Sequence, residues 1–102
     1  MIARIWHGKT LASDANEYLS FLLERAVPDY ESVEGCYKAT VLRRINDEEA
    51  HFLPLSIWES KDALKQFAGT EIDEAQYYVE DESYLLEFEP TVHHHDTFPK
   101  GF

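Results

Sequence analysis

The sequence is short of cysteine, of positive charge and of long apolar runs. Cys36 is the only cysteine among 102 residues, so no disulfide can form within the chain and an oxidising compartment is not implied. No histidine stands beside it in sequence to activate a thiolate, so we expect Cys36 to be a structural residue. Because no apolar run is long enough to cross a membrane, we expect no membrane span.

Basic residues number only 9 against 20 acidic ones, which leaves a formal net charge of −11. This charge repels nucleic-acid phosphates and anionic membrane surfaces, so we expect neither nucleic acid nor membrane as a partner. Residues 1–6 lack the charged leader, apolar core and cleavage site of a signal peptide and favour a β-strand instead. We therefore expect a soluble, cytoplasmic protein.

Apolar and aromatic residues are abundant. They make up 44% and 14% of the chain, respectively, which excludes a disordered protein. A length of 102 residues predicts one domain over residues 1–102, with a genuine core but with much of its surface still apolar. Formation of a dimer would cover part of that surface.

The strongest periodic pattern predicts a helix that follows a first strand over residues 2–9. Ser13 can cap this helix, and Asp14 suits its positive start. Pro28 removes a backbone donor, which predicts a bend or irregular turn before Gly35 ends the connection. The predicted buried stripe consists of Ala15, Tyr18, Leu19, Leu22, Leu23, Ala26, Val27 and Tyr30.

Two further strands, over residues 36–45 and 50–58, are joined by a short polar turn that predicts an antiparallel hairpin. We expect Ile45 to face Ala50. One sheet face then carries the pairs Tyr37–Trp58, Ala39–Ser56, Val41–Pro54 and Arg43–Phe52. The opposite face carries Leu42–Leu53, Thr40–Leu55 and Lys38–Ile57 and is too apolar to face water.

A second helix is expected to begin after Ser60, which can cap it, and to end at Gly69. Its apolar side holds Ala63, Leu64, Phe67 and Ala68. Thr70 can cap a further short helix over residues 71–78.

The acidic run over residues 80–82 is expected to form a solvated loop that leads into a last strand over residues 84–98. Pro90 predicts a kink or bulge in that strand. The order strand, helix, strand, strand, helix, strand is the split pattern of ferredoxin-like folds. We predict an α+β fold, a ferredoxin-like βαββαβ sandwich with a four-stranded antiparallel sheet and both helices on one face.

The second face of this sheet has no covering element within the chain. Its row of Leu53, Leu55 and Ile57 needs a partner, which a second copy can supply by stacking sheet on sheet. We therefore predict a homodimer in which the two sheets form one dimeric α+β barrel.

Four segments carry a family resemblance: residues 1–8 (MIARIWHG), 41–44 (VLRR), 55–60 (LSIWES) and 86–90 (LEFEP). In these segments, and over nearly the whole chain, the sequence resembles the antibiotic biosynthesis monooxygenase (ABM) superfamily of small dimeric α+β barrels. The resemblance implies a ligand cavity between the helices and one sheet face. In several relatives it also implies a reaction of O2 with an electron-rich aromatic substrate without metal or flavin, so we expect no cofactor.

A heme-degrading branch of the superfamily builds its site from an Asn late in strand one, the hairpin Trp and a His in the later helix. Here His7 stands at the Asn position, Trp58 matches, and residues 76–78 (QYY) lie where the His would be. Tyr77 or Tyr78 could ligate iron only as a stabilised phenolate. The resemblance therefore argues against heme degradation.

His7 is the candidate catalytic residue. It shares a strand face with Ala3 and Ile5, and we expect it to lie near Ser56 and Trp58 in an apolar pocket. Its near-neutral titration suits proton removal from a phenol or quinol, which generates a carbanion able to donate an electron to O2. The alternative is a histidine that is merely hydrogen-bonded near the end of a strand.

Five residues are expected to contact a substrate: Tyr18, Tyr37, Ser56, Trp58 and Tyr77. Trp58 and Tyr37 could stack on a planar ligand, although aromatic pairs across a hairpin also stabilise cores. Tyr18 could present its hydroxyl to the cavity. Trp6 lies on the face of strand one opposite His7, so we expect it in the dimer barrel.

Three consecutive histidines, residues 93–95, raise the possibility of a metal site, because the first and third share a strand face. A third ligand is missing, since His7 and His51 are expected elsewhere in the sheet, so we predict no metal site. His94 should point inward, in phase with Val92.

The leading hypothesis is a homodimer that binds a small aromatic or planar ligand and oxidises it as a cofactor-independent monooxygenase. One alternative is a noncatalytic ligand-binding or dimerisation module. Another is an isomerase- or decarboxylase-like enzyme on the same fold, which needs an acid and a base but no O2.

Overall fold

The computed structural model describes residues 1–69, 71–75, 78–89 and 91–98. Its strands are β1 (Ile2–Ile5), β2 (Gly8–Leu11), β3 (Cys36–Asn46), β4 (Glu49–Trp58), β5 (Leu85–Phe88) and β6 (His93–Asp96). Its helices are α1 (Ala15–Phe21), α2 (Val27–Glu31), α3 (Lys61–Ala68) and α4 (Asp81–Tyr84), with a 3-10 turn at Ala12–Asp14 and a π-helical turn at Leu22–Ala26. No helix in the described ranges is long and apolar enough to span a bilayer.

The strands form one antiparallel sheet, which confirms the predicted α+β, ferredoxin-like arrangement. The central strand β4 pairs with β3 along one edge. Along its other edge it pairs with β1 and β2, which lie end to end. β6 then pairs with β1, and β5 pairs with β2. The prediction of four strands is wrong in number, because the first and last strands are each divided in two.

The first strand is interrupted at Trp6, where the partner strand carries proline. The Trp6 N–H donates to the carbonyl of Pro54 over 3.2 Å, but Pro54 has no N–H to donate in return. In the last strand, Phe88 pairs with Gly8 and His93 pairs with Ile5, so the pairing with the first strand is interrupted between Phe88 and His93. Pro90, predicted to disrupt that strand, lies outside the described residues.

The hairpin has the predicted register from Asn46 back to Lys38. Cys36, rather than Tyr37, stands opposite Trp58, so the predicted Tyr37–Trp58 pair is wrong. Tyr37 occupies a bulge and is 58% exposed. The Glu59 N–H donates to the carbonyl of Gly35 over 2.8 Å, so the two strands remain paired on both sides of Tyr37. The first strand of the hairpin therefore has one more residue than the second in this stretch, and Tyr37 is left unpaired.

The helical segment from Ala12 to Glu31 differs from the prediction at its start. Ser13 lies inside the 3-10 turn and does not cap a helix, and Leu11 precedes that turn without a capping side chain. Before Pro28, the Val27 N–H donates to the carbonyl of Leu22, five residues back, which is the irregularity that the proline predicts. Ala15, Tyr18, Leu22 and Ala26 are buried, whereas Leu23 is half exposed.

The second helix agrees with the prediction at both ends. The Ser60 hydroxyl accepts the Ala63 N–H over 3.2 Å, and Gly69 ends α3 with a positive φ of 76°. The helix predicted after Thr70, itself outside the described residues, is wrong for residues 71–75, which form a turn and a bridge to Thr91.

The helices cover one face of the sheet. Phe52 and Trp58 of β4 are fully buried on that face, in two clusters with residues of the helices. Trp6 also lies there, 9% exposed and clustered with Tyr18. Its predicted place in a dimer barrel is wrong, because register puts it on the same face as Phe52 rather than on that of Leu53.

Candidate functional site

A cavity of about 20 Å³ lies between the helices and the sheet, where the ABM resemblance implies one. It is lined by Trp6, Tyr18, Leu22, Ala26, Tyr30, Pro54, Tyr78 and Asp81. The helical segment supplies four of these side chains, because Tyr18, Leu22, Ala26 and Tyr30 recur at helical spacing on the side facing the sheet. This volume holds about one water molecule.

Tyr18 and Asp81 form a buried polar pair in the wall of the cavity. Tyr18 is fully buried, and its hydroxyl donates to Asp81 Oδ1 over 2.9 Å. The other carboxylate oxygen of Asp81 accepts the Tyr78 N–H over 2.8 Å. Asp81 is only 3% exposed, so a carboxylate is held almost without water against an aromatic cavity.

Burial controls the protonation of this pair. Desolvation raises the pKa of Asp81, although the hydrogen bonds from the Tyr78 amide and the Tyr18 hydroxyl, and the charge of Arg25, act in the opposite direction. Desolvation and the nearby Asp81 charge raise the pKa of Tyr18, which therefore remains a phenol. The site thus joins a hydrogen-bond donor that stays protonated to a carboxylate whose pKa is moved toward neutrality, as suits a general base.

Arg4 is a second buried charge on the helix side of the sheet. It is 3% exposed, its Nη2 donates to the Glu74 carbonyl over 3.0 Å, and its guanidinium lies 5.7 Å from the ring centroid of Phe67. Desolvation lowers the pKa of Arg4, against the raising effects of Tyr30 and Asp73. Within the described ranges, Arg4 Nε is buried without a hydrogen-bond partner.

Ser56 and Trp58 lie on the expected sheet face but do not line the cavity. The Trp58 indole N–H donates to Ser56 Oγ over 2.7 Å, and both residues are buried. The Trp58 ring packs against Phe67 and Tyr30, with ring centroids 5.9 and 6.5 Å apart. Tyr30 therefore joins the cluster around Trp58 to the cavity.

Tyr78 forms the outer wall of the cavity. Its hydroxyl donates to Asp29 Oδ2, and the Arg25 guanidinium lies 4.9 Å from its ring centroid. Desolvation and the bond to Asp29 raise the pKa of Tyr78. Tyr77, predicted to bind substrate, lies outside the described residues, and Tyr37 is exposed at the hairpin bulge rather than beside Trp58.

His7 lies on the opposite face of the sheet. Its expected position near Ser56 and Trp58 is wrong, because its Nε2 is hydrogen-bonded to His51 Nδ1 over 2.9 Å and His51 belongs to the other face of β4. His7 Nδ1 is paired with Glu89 Oε1 over 2.7 Å. The predicted alternation of His7 with Ala3 and Ile5 holds, but the helices cover the other face of the strand.

Asp81 and Tyr30, which line the cavity, and Arg4, which is buried on the same side of the sheet, were not identified as functional from the sequence. Asp81 lies in the acidic run predicted to be solvated, and that prediction is wrong for this residue. Only a three-dimensional contact, the bond to Tyr18, distinguishes it from its neighbours. The sequence does contain a signal that Arg4 is a buried charge, because Arg4 alternates in phase with Ile2 and Trp6 on an otherwise apolar strand face.

The carboxy-terminal histidines are not gathered into a metal site. In the part of the chain that the structure describes, no three His, Cys, Asp or Glu side chains are grouped to hold an ion. His94 points inward as predicted, and its Nδ1 lies 3.1 Å from Asp73 Oδ1. Desolvation and Arg4 lower the pKa of His94.

Comparison with known proteins finds one matching family and several solved structures of similar fold. The family model described as antibiotic biosynthesis monooxygenase matches residues 9–79. A Bacillus cereus structure named for that activity aligns with a TM-score of 0.68 at 13% identity, over 98% of this chain and 97% of its own. The Mycobacterium tuberculosis protein Rv0793 aligns with a TM-score of 0.60 at 16% identity, over 99% and 98%. At such identities the likeness shows the fold alone, and no curated protein matches the chain.

Proposed function

Because the chain belongs to the antibiotic biosynthesis monooxygenase family, we propose that it binds a small phenolic or quinol-type compound between helices and sheet and oxidises it with O2, without metal or flavin. The observation that carries the proposal is the buried Tyr18–Asp81 pair in the wall of the cavity. The combination of an aromatic lining and a desolvated carboxylate suits a planar, weakly acidic ligand.

In this proposal Asp81 is the general base. It removes a proton from a methylene carbon activated by the phenol ring. The protonated Asp81 can then donate to the Tyr18 oxygen, which frees the Tyr18 O–H to donate to the substrate oxygen on which negative charge develops. The carbanion reduces O2 and forms a carbon–oxygen bond. The resulting peroxide takes up the proton and loses water, so the methylene carbon becomes a carbonyl and the second oxygen atom leaves as water.

Ligand entry requires the cavity to enlarge. A volume of about 20 Å³ cannot hold an aromatic ring. Tyr78 is the lining residue whose displacement should cost the least free energy. Its ring contacts Arg25 on the outer side of the cavity, and its hydroxyl is bound to the exposed side chain of Asp29. Outward rotation of Tyr78 would leave the Tyr18–Asp81 pair intact.

A homodimer is part of the proposal. Leu42 is 48% exposed, and Leu53 and Leu55 are partly exposed on the face away from the helices. Register places Ile5 opposite Leu55 and Leu42 opposite Leu53, so these residues form one apolar surface across three strands. Stacking of a second copy on this surface would remove it from water.

Oxygen uptake with anthrone and 1,8-dihydroxyanthrone, which both carry an activated methylene carbon, tests the activity. We expect the wild-type protein to accelerate uptake with at least one of them, and Asp81→Asn to reduce the rate about 100-fold, the usual contribution of a positioned base. His7→Ala is the matched control and should retain the rate, because His7 lies on the other sheet face. Uptake no faster than in buffer, or an unaffected Asp81→Asn variant, would contradict the proposal.

The small volume of the cavity favours one alternative, a noncatalytic module in which Tyr18 and Asp81 are core residues. In that case neither compound would be oxidised, and Asp81→Asn would change stability alone. Binding without oxygen uptake would instead support an isomerase or a carrier that uses the same cavity.

A further inference from the structure

A larger depression, of about 380 Å³, opens on the sheet face away from the helices. It is lined by His7, Leu42, Arg43, Arg44, His51 and Leu53. The volume is in the range of small-molecule sites. None of the six lining side chains is acidic, although the chain carries a net charge of −11. The depression is therefore a local concentration of cationic and titratable groups on an acidic protein.

Three side chains form a hydrogen-bonded relay that ends in this depression. Glu89 Oε1 lies 2.7 Å from His7 Nδ1, and His7 Nε2 lies 2.9 Å from His51 Nδ1. Since the carboxylate accepts the proton of His7 Nδ1, the Nε2 of a neutral His7 accepts from His51 Nδ1. His51 Nε2 has no hydrogen-bond partner in the part of the chain that the structure describes.

The relay can take up a proton without losing a hydrogen bond. A proton added at His51 Nε2 can be balanced by transfer of the Nδ1 proton of His51 to His7, and the imidazolium of His7 is then stabilised by Glu89. In either arrangement, His51 Nε2 changes from an acceptor to a donor. An anion in the depression would favour this protonated state.

Arg44 supplies a fixed positive charge beside the relay. It is exposed, stands opposite His51 in the hairpin register and has no ion-pair partner within the described ranges. Arg43, by contrast, is engaged on the helix side, where its guanidinium donates to Asn16 Oδ1 over 3.0 Å. Arg44 is thus the cation that can pair with a carboxylate.

We propose that this depression is a binding site for a small organic acid, whose carboxylate is paired with Arg44 and accepts a hydrogen bond from His51 Nε2. Leu42 and Leu53 contact the apolar part of the ligand. Binding is accompanied by proton uptake into the His7–His51 pair. The site is separate from the helix-side cavity and does not depend on the reaction proposed there.

The surrounding charges set the sign of the pH dependence. Lys9 stands opposite His51 and forms an ion pair with Glu49 over 3.1 Å, so these two charges offset each other. Glu89 Oε1 lies 2.7 Å from His7 Nδ1, and Arg44 stands opposite His51 in the hairpin register. His93 lies opposite Ile5, two residues from His7. A bound carboxylate offsets Arg44, so affinity should rise as pH falls from 8 to 6.

The depression shares Leu42 and Leu53 with the surface that the proposed dimer covers. In that dimer the acid would lie between the two sheets and would neutralise the Arg44 side chains enclosed there. Binding and dimerisation would then favour each other. The ligand contacts come from one chain, so a monomer would still bind the acid, with lower affinity.

The test is an NMR and calorimetric titration with benzoate at pH 6 and pH 8, with benzamide as the uncharged analogue. We expect benzoate to shift resonances of His7, His51 and Leu42, to bind at least tenfold more tightly than benzamide, and to bind more tightly at pH 6. Calorimetry in two buffers of different ionisation enthalpy should show net proton uptake at pH 7.

Three variants complete the test, and the first two each remove one positive charge. Arg44→Gln should weaken benzoate binding about tenfold, whereas Lys65→Gln, on the exposed side of α3, should leave it unchanged. His51→Gln should abolish proton uptake, and its spectrum shows whether it remains folded. Equal affinity for benzamide, no effect of Arg44→Gln, absence of proton uptake, or shifts confined to Trp6 and Tyr18 would each overturn the proposal.

Discussion

At the scale of single residues, the central feature is a carboxylate that folding removes from water. Asp81 accepts hydrogen bonds from the Tyr18 hydroxyl and the Tyr78 amide, yet desolvation still raises its pKa. Its ionisation therefore opposes folding. A protein retains such a group at a cost in stability, which is typical of functional sites.

Replacement of Asp81 should remove this pH dependence. A raised folded-state pKa means that stability is highest when the carboxyl is protonated and falls as pH rises through that pKa. An asparagine amide at this position can accept the Tyr78 N–H and donate to the Tyr18 oxygen, so Asp81→Asn should gain stability relative to wild type between pH 4 and pH 8. Urea unfolding across that range measures the free energy of unfolding of both proteins. If the difference between Asp81→Asn and wild type stayed constant or shrank as pH rises, the raised pKa of Asp81 would be contradicted.

Residue identity in the site was only partly predictable from sequence. Tyr18 was identified because a 3.6-residue stripe fixes the face it occupies. Trp6 and His7 were assigned to each other's faces, because alternation alone does not say which strand face receives the helices. Asp81 was missed because composition cannot distinguish one buried carboxylate from its exposed neighbours in an acidic run.

At the scale of secondary-structure elements, Gly35 allows α3 to pack closely against the start of β3. Gly35 has a φ of +93°, and a Cβ atom there would lie 2.5 Å from the Cβ of Ala63 on α3. It also accepts the Glu59 N–H at the end of β4. Only glycine allows this close approach between the start of β3 and the first turn of α3.

Substitution of alanine for each of two glycines distinguishes the cost of steric crowding from the cost of backbone strain. Gly69 also has a positive φ, of 76°, but a Cβ there meets no atom within 4 Å. We therefore expect Gly35→Ala to destabilise the protein by about 1–3 kcal/mol more than Gly69→Ala, the usual cost of overpacking. Chemical denaturation measures both, and equal losses would show that crowding against Ala63 is unimportant.

The elements also show which patterns are reliable in sequence. The hairpin register and the ends of α3 were predictable because a short polar turn, a serine cap and a terminal glycine are local signals. The break in the first strand was not, since it depends on Trp6 meeting Pro54 of another strand. The bulge at Tyr37 likewise depends on tertiary pairing beyond Cys36.

At the scale of the whole molecule, the sheet has one covered face and one apolar, partly exposed face. The proposed dimer resolves that asymmetry by joining the uncovered faces of two copies. Leu42 and Leu53, adjacent across the hairpin, lie on this uncovered face. The same face holds the Glu89–His7–His51 relay, so association and the proposed acid site occupy one surface.

Sedimentation of two leucine variants tests the dimer. Leu42 and Leu23 are similarly exposed, at 48% and 50%, but Leu23 lies on the helical segment. The wild type should sediment at twice the chain mass of 11.9 kDa, Leu42→Glu should sediment as a monomer, and Leu23→Glu should remain a dimer. A monomeric wild type at micromolar concentration, or a dimeric Leu42→Glu, would refute the arrangement.

The central claim is that the functional cavity lies between the helices and the sheet. Mapping the residues that a ligand contacts tests this claim most directly. An NMR titration with 1-naphthol, which carries no carboxylate for Arg44, identifies these residues, with Ala26→Leu as a variant that fills the cavity. We predict shifts at Trp6, Tyr18, Tyr30 and Tyr78 that are lost in Ala26→Leu. Shifts at His7, Leu42 and His51 that persist in that variant would contradict the account.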